Sequence, residues 1–170
     1  MTYNLHPIFV HFPIAFLLLY SVVKILPFRR WFPGTSWNHI YKILLIPGVI
    51  GAYLSMATGE TAAHLTRPDR DLVGLHEFFA GATTNIYLIL LIGEFFPVIL
   101  RVLRNIKHIP RVVVRIVYQL GRIINHPTVM IGLALVGAIA LFLTGVFGGI
   151  LTHGTSADPL APFILNIFGL

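Results

Sequence analysis

The chain contains no cysteine, and only 11% of its 170 residues are charged. The lack of cysteine excludes disulfides, thiolate metal sites, iron–sulfur clusters and covalent attachment of c-type haem, so any redox cofactor must be held non-covalently. The shortage of charge accompanies 56% hydrophobic residues and a mean hydropathy of +0.85. A soluble domain of this length cannot bury so much apolar surface in one core, so we expect the solvent to be lipid.

Four apolar stretches are long enough to cross about 30 Å of hydrocarbon, which takes about 20 helical residues. They cover Pro7–Leu26, Ile40–Ala57, Leu72–Leu100 and Val129–Leu151. No basic residue precedes the first stretch, so we expect a retained helix there and not a cleaved signal peptide. The sequence therefore predicts an all-α polytopic membrane protein, with residues 1–170 forming a single membrane domain built as a four-transmembrane-helix bundle.

Basic residues are concentrated around the first and third connections between these stretches. Ten of the twelve lysines and arginines lie there, all except Arg67 and Arg70, which lie in the second connection. Cytoplasmic loops are enriched in Lys and Arg, so we predict that both termini and the second connection lie on the outer side of a cytoplasmic membrane. Topology thus accounts for the net charge of +6, and we expect no nucleic-acid partner.

The third connection contains a predicted amphipathic helix over about residues 110–124. Arg111, Arg115, Gln119 and Arg122 recur there at spacings of three or four residues among aliphatic side chains. Each basic residue on a cytoplasmic surface adds about 1 kcal/mol of attraction to anionic lipid. We interpret this segment as a helix that anchors the chain to the cytoplasmic membrane surface, and the alternative is a helix that docks a partner.

The histidines gather on the predicted outer face of the membrane. Once the sides are assigned, five of the eight histidines lie at or near the outer ends of the spans, and all four spans contribute. These five are His6, His11, His64, His76 and His153. Ionisable residues inside a membrane are costly and convergence of several helices is how bundles build sites, so the sequence predicts a binding site here.

Haem b is the leading hypothesis for this site, with one or two haems bound. Bis-histidine ligation uses neutral imidazoles from two facing helices and needs no cysteine. We prefer His11 and His76 as the ligands of the haem iron, because each lies about one turn inside its helix. Arg67 and Arg70 are candidates to pair with the haem propionates, or they balance neighbouring aspartates in a solvated loop.

Two alternatives stay open for the histidine cluster. One is a zinc, copper or iron ion held by these histidines with Glu60 or Glu77, although no His-x-x-x-His spacing supports it. The other is a cofactor-free anchor or accessory subunit of a larger, respiratory-type complex, in which the histidines bond each other and loop carbonyls. Neither a nucleophile–base pair nor a phosphate-binding glycine loop is evident, so we do not expect the chain to be an enzyme by itself.

Two further features of the spans bear on function. Small residues recur four apart in the second and fourth spans, as in Gly48 with Ala52 and Gly145 with Gly149. They indicate close helix packing or, alternatively, room for a flat macrocycle. Glu94 is the one acid deep in a span, and we expect it to pair with a nearby lysine, Lys24 or Lys42, or to reach the inner surface; a role in proton entry is the alternative.

The segment His-Pro-Ile-Phe-Val-His-Phe-Pro-Ile-Ala, from His6 to Ala15, resembles the opening signature of a family of predicted four-helix bacterial membrane proteins of unknown function. Ala57-Thr58-Gly59 before His64, Leu75-His76-Glu77, and Gly148 to Gly154 are similar to the later motifs of that family, in the same order. The chain departs from the family pattern at Thr152, where an aromatic residue is usual, and in its longer basic connection.

The resemblance implies a bacterial inner membrane location and places all five outer histidines in recognisable motifs. Some members of the family are fused to c-type cytochrome modules, which implies proximity to electron transfer. Together with the residues themselves, it leads to the hypothesis of a haem b-binding membrane subunit that transfers electrons near the outer face. Expected partners are the lipid bilayer and other membrane or c-type cytochrome subunits, with quinone as a candidate.

Overall fold

The computed structural model describes residues 6–66, 69–106, 108–156 and 159–170, with only the backbone described between 63 and 66. Within these ranges the regular structure is entirely helical, which confirms the predicted all-α class. The helices in chain order are α1 (His6–Ile25), α2 (Phe28–Trp31), α3 (Trp37–Thr66), α4 (Arg70–Asn105), α5 (Arg111–Ile124), α6 (Pro127–His153) and α7 (Ala161–Phe168). The predicted amphipathic helix is α5.

Four of these helices are long and apolar enough to cross a membrane, namely α1, α3, α4 and α6. Each predicted span coincides with one of these helices, but α3 and α4 extend well beyond the apolar stretches that predicted them. Residues Trp37–Thr66 are helical where hydropathy predicted Ile40–Ala57. The reason is that hydropathy detects only the part of a helix in hydrocarbon, whereas backbone hydrogen bonding continues into the interfacial region.

Local chemistry explains several helix ends. Asp69 caps α4, since its carboxylate accepts hydrogen bonds from the backbone amides of Asp71 and Leu72. Pro127 opens α6, where its missing N–H costs nothing. Gly154 ends the same helix with a φ of 79°, a backbone conformation that favours glycine.

The four long helices form a bundle in which α1 and α4 occupy opposite corners. Helix α1 packs on α3 and α6, and α4 packs on the same two helices. Gly48 and Gly51 let α3 approach α1 closely, because an added Cβ at Gly48 would lie 2.4 Å from a methyl carbon of Leu17, and one at Gly51 would lie 3.0 Å from the Pro13 ring. Because α1 and α4 are not neighbours in this bundle, any contact between them is made across its interior.

Two apolar clusters stabilise the arrangement. The larger one lies between the four long helices and includes the fully buried side chains of Leu17, Leu45 and Leu90. The smaller one joins Phe147 and neighbouring residues of α6 to Ile164 of α7, so the C-terminal helix packs back onto the bundle. Many large apolar side chains lie on the outside of the four long helices, which is the surface that a lipid bilayer covers.

Candidate histidine site

His6 and His76 meet inside one end of the bundle. His6 is the first residue of α1 and His76 lies in the second turn of α4. Their ring centres are 6.5 Å apart and the ring planes are nearly perpendicular, at 87°. Because α1 and α4 occupy opposite corners, the two imidazoles approach each other across the bundle interior.

Hydrogen bonds orient both imidazole rings. Nδ1 of His76 lies 3.0 Å from the backbone oxygen of Thr144, and a carbonyl can only accept, so this Nδ1 is protonated. Nδ1 of His6 lies 3.1 Å from Oγ1 of Thr58. In the neutral form His76 therefore carries its lone pair on Nε2, the arrangement found in metal-ligating histidines.

Glycines border both imidazole rings. A Cβ added at Gly148 would lie 3.1 Å from Cε1 of His76, and one added at Gly59 would lie 3.4 Å from Cε1 of His6. The His76 ring therefore depends on a glycine at position 148. A Cβ at Gly145 or Gly149 would meet no atom within 4 Å, so the α6 surface around them is uncovered.

The structure does not bring the preferred ligand pair, His11 and His76, together. His11 is exposed, and its Nδ1 donates to the backbone oxygen of Pro7 within its own helix. His6 and His11 are five residues apart, which separates their directions by about 140° around a helix. Since His6 points into the bundle interior, His11 points away from it, and His6 takes the place expected for His11.

The remaining predicted site residues lie away from this pair or outside the described residues. His153 is exposed at the end of α6, where its Nδ1 lies 2.7 Å from Oγ1 of the neighbouring Thr152. Arg70 is exposed at the start of α4, about 9 Å along the helix from His76. The side chain of His64 and the whole of Arg67 lie outside the described residues. Over the part of the chain that is described, no group of three or more His, Asp or Glu residues comes together.

Further polar contacts cross the bundle interior between α1 and α4. The hydroxyls of Ser21 and Tyr87 lie 2.6 Å apart, and Ser21 also lies 3.2 Å from a backbone oxygen of α6. Nearer the opposite end, Lys24 pairs with Glu94 at 2.5 Å, and the Tyr20 hydroxyl donates to the same carboxylate at 3.3 Å. The expected pairing of Glu94 with a lysine is confirmed, and Lys24 is its partner.

Sequence reasoning missed the oxygens that orient the histidines and the Ser21–Tyr87 contact. Thr58 lies within Ala57-Thr58-Gly59, but nothing in that motif indicates that its hydroxyl contacts His6. Thr144 acts through its backbone oxygen, which every residue possesses, so its identity carries no signal. A single hydroxyl in an apolar run, such as that of Ser21, is equally uninformative.

A comparison of the chain with protein-family profiles, with curated proteins and with solved structures gave no match. The fold and site define a class of protein: a polytopic α-helical membrane protein with a histidine pair inside one end of its bundle.

Proposed function

We propose that this protein is a haem b-binding membrane subunit for electron transfer, in which His6 and His76 would hold the haem iron. The observation that carries the proposal is the meeting of these two imidazoles across the bundle, at a separation that leaves room for one metal ion between them. Two imidazoles that ligate one metal ion from opposite sides have ring centres about 6 Å apart, since each metal–nitrogen bond is about 2 Å. The ring centres of His6 and His76 are 6.5 Å apart.

The size of the ligand set favours haem over a bare metal ion. A porphyrin supplies four nitrogens to its iron, so two imidazoles complete the coordination. A zinc ion takes three or four ligands from the protein itself. The described residues bring only two histidines together, and neither Glu60 nor Glu77 forms a group with them.

The surroundings of the pair suit a flat macrocycle. Gly148 places backbone without a side chain beside His76, and glycine is the residue that lets backbone and ligand approach closely. Arg70 is a candidate to pair with a propionate, as is Arg67 by its position in the sequence. Bound haem supplies one-electron transfer, while the hydrogen bond from His76 to Thr144 orients that ring and raises its basicity.

The membrane side and the partners of the site are part of the proposal. The excess of Lys and Arg around the first and third connections supports an inner membrane location, with both termini and the histidine pair on the periplasmic side. The family resemblance, which stays a prediction, supports a c-type cytochrome or another membrane subunit as the redox partner, with quinone as the alternative.

The sidedness is testable because the chain has no cysteine. A membrane-impermeant maleimide should label a Thr155→Cys variant in intact cells and should label Lys107→Cys only after the membrane is permeabilised. The opposite labelling pattern would place the histidine pair on the cytoplasmic side and contradict this part of the proposal.

An optical spectrum of protein purified from haem-replete cells tests the cofactor. We expect a Soret band and an α band on reduction, both lost in His6→Ala and in His76→Ala. His11→Ala is the matched control, since it removes an imidazole from the same helix but from its exposed face, and it should retain the spectrum. A colourless wild-type protein, or loss of the bands only in His11→Ala, would refute the ligand assignment.

A cofactor-free anchor or accessory subunit is the second candidate, and one observation favours it. Both imidazoles already bond to protein oxygens, so the pair is stable without any added ligand. In that case the purified protein is colourless, and His76→Ala costs the hydrogen bond to Thr144, about 0.5–1.5 kcal/mol, together with the packing of the lost ring.

A further inference from the structure

A polar cavity of about 460 Å³ opens in the connection between α1 and α3, at the end of the bundle opposite the histidine pair. Its polar lining consists of Arg29, Thr35, Ser36, Asn38 and His39. The cavity is open to its surroundings, so a group bound there stays continuous with what lies outside it. The histidine site uses none of these residues.

The guanidinium of Arg29 is held in a defined position in this cavity. One of its nitrogens donates to the side-chain oxygen of Asn38, and its central carbon lies 5.4 Å from the centre of the Tyr41 ring. A guanidinium has five N–H donors in a planar fork that matches phosphate oxygens. Residues 26–39 include Arg30 as a second cation and contain neither Asp nor Glu, so the local charge favours an anion.

The cavity lies at the depth of the membrane interface, because it lies between the end of one span, at Ile25, and the start of the next, at Trp37. Trp31 and Phe32, in the same connection, are 56% and 55% exposed. Exposed aromatic rings at the end of a span are typical of the boundary between headgroups and acyl chains. A phosphate ligand in this position is adjacent to apolar surface that an acyl chain can cover.

We propose that this cavity binds the headgroup of an anionic phospholipid of the phosphatidylglycerol type. Arg29 pairs with the phosphodiester, while Thr35, Ser36 and Asn38 provide hydrogen-bonding groups for the glycerol hydroxyls. Free phosphate could pair with Arg29 in the same way, but it has no acyl chains to pack on the exposed aromatic rings. We therefore assign the site to lipid. The proposal does not depend on whether haem is bound at the other end.

Native mass spectrometry of the full-length protein tests this site. The protein is delipidated in neutral detergent and offered equal amounts of dioleoyl phosphatidylglycerol and dioleoyl phosphatidylcholine. We expect at least about fivefold more bound phosphatidylglycerol. Arg29→Gln should lower phosphatidylglycerol binding by about tenfold, since it removes a charge-assisted hydrogen bond. Arg70→Gln removes an equal charge from the start of α4, at the other end of the bundle, and should change binding by less than about twofold.

A second variant keeps the test valid if Arg29→Gln fails to fold by circular dichroism. Asn38→Ala preserves the charge but releases the guanidinium, and it should lower phosphatidylglycerol binding by about threefold. Equal binding of the two lipids, or equal losses in Arg29→Gln and Arg70→Gln, would overturn the proposal. Displacement of the lipid by millimolar inorganic phosphate would also overturn it and would assign the cavity to a free anion.

Discussion

Replacing Lys24 with methionine is expected to cost about 3–5 kcal/mol of unfolding free energy, because it leaves Glu94 ionised and buried without its partner. The Lys24 nitrogen lies 2.5 Å from the Glu94 oxygen, and the two side chains are only 14% and 9% exposed. The pair joins α1 to α4 across the bundle. Because the site is this buried, few water molecules can reach the remaining Glu94 carboxylate and solvate it in place of the Lys24 ammonium.

Removing both charges together should restore most of that loss. The double variant Lys24→Met/Glu94→Gln keeps an oxygen that can accept from the Tyr20 hydroxyl, and we expect it within about 1–2 kcal/mol of wild type. Glu94→Gln alone should cost about 1–3 kcal/mol. The lysine left behind retains its contact with the Tyr41 ring, 4.2 Å from the ring centre, and its long side chain can reach water.

The measurement is unfolding of each purified variant in mixed micelles by a denaturing detergent, followed by circular dichroism. Arg115→Met is the control, since it removes an exposed cation, and it should change the free energy by no more than about 0.5 kcal/mol. The reasoning is refuted if Lys24→Met falls within about 1 kcal/mol of wild type. It is also refuted if the double variant costs the sum of the two single variants, because a coupled pair is not additive.

Two matched pairs of substitutions test the rest of the interior by the same assay. Gly148→Ala should cost about 1–3 kcal/mol by crowding His76, whereas Gly149→Ala meets no atom and should be neutral or stabilise by up to about 1 kcal/mol. Equal effects would contradict the position of the His76 ring. Ser21→Ala removes the hydroxyl that hydrogen-bonds to the buried Tyr87 hydroxyl, and it should cost about 1–3 kcal/mol. Tyr87→Phe should cost only about 0.5–1.5 kcal/mol, because the Ser21 hydroxyl keeps a backbone acceptor, and the reverse order would contradict this network.

The spans were predictable because crossing hydrocarbon requires a long apolar run, and such runs are visible without any knowledge of packing. The limits of α3 were not, since the helix continues from Trp37 to Thr66 through residues of mixed polarity. The amphipathic helix α5 was predictable for a different reason. Its arginines repeat at helical spacing and distinguish one side of the helix from the other.

The histidine site was predictable only as a group of candidates. Sequence placed His6, His11 and His76 near one membrane face, but it could not decide which of the first two faces the interior. In a soluble helix the apolar side marks the core. In a membrane helix lipid and core are both apolar, so the pattern along α1 does not show its rotation about its own axis.

The sequence by itself determined that the chain is helical, that four helices are long and apolar enough to span a membrane, and which residues lie near each end of a span. These properties follow from the length and polarity of local segments. Only the tertiary structure decided that His6 meets His76 and that Lys24, not Lys42, pairs with Glu94. It also decided that the Ser21 hydroxyl bonds to the hydroxyl of Tyr87 on α4. Such pairings depend on how each helix is rotated and how closely it packs, which contacts between helices determine and no single segment encodes.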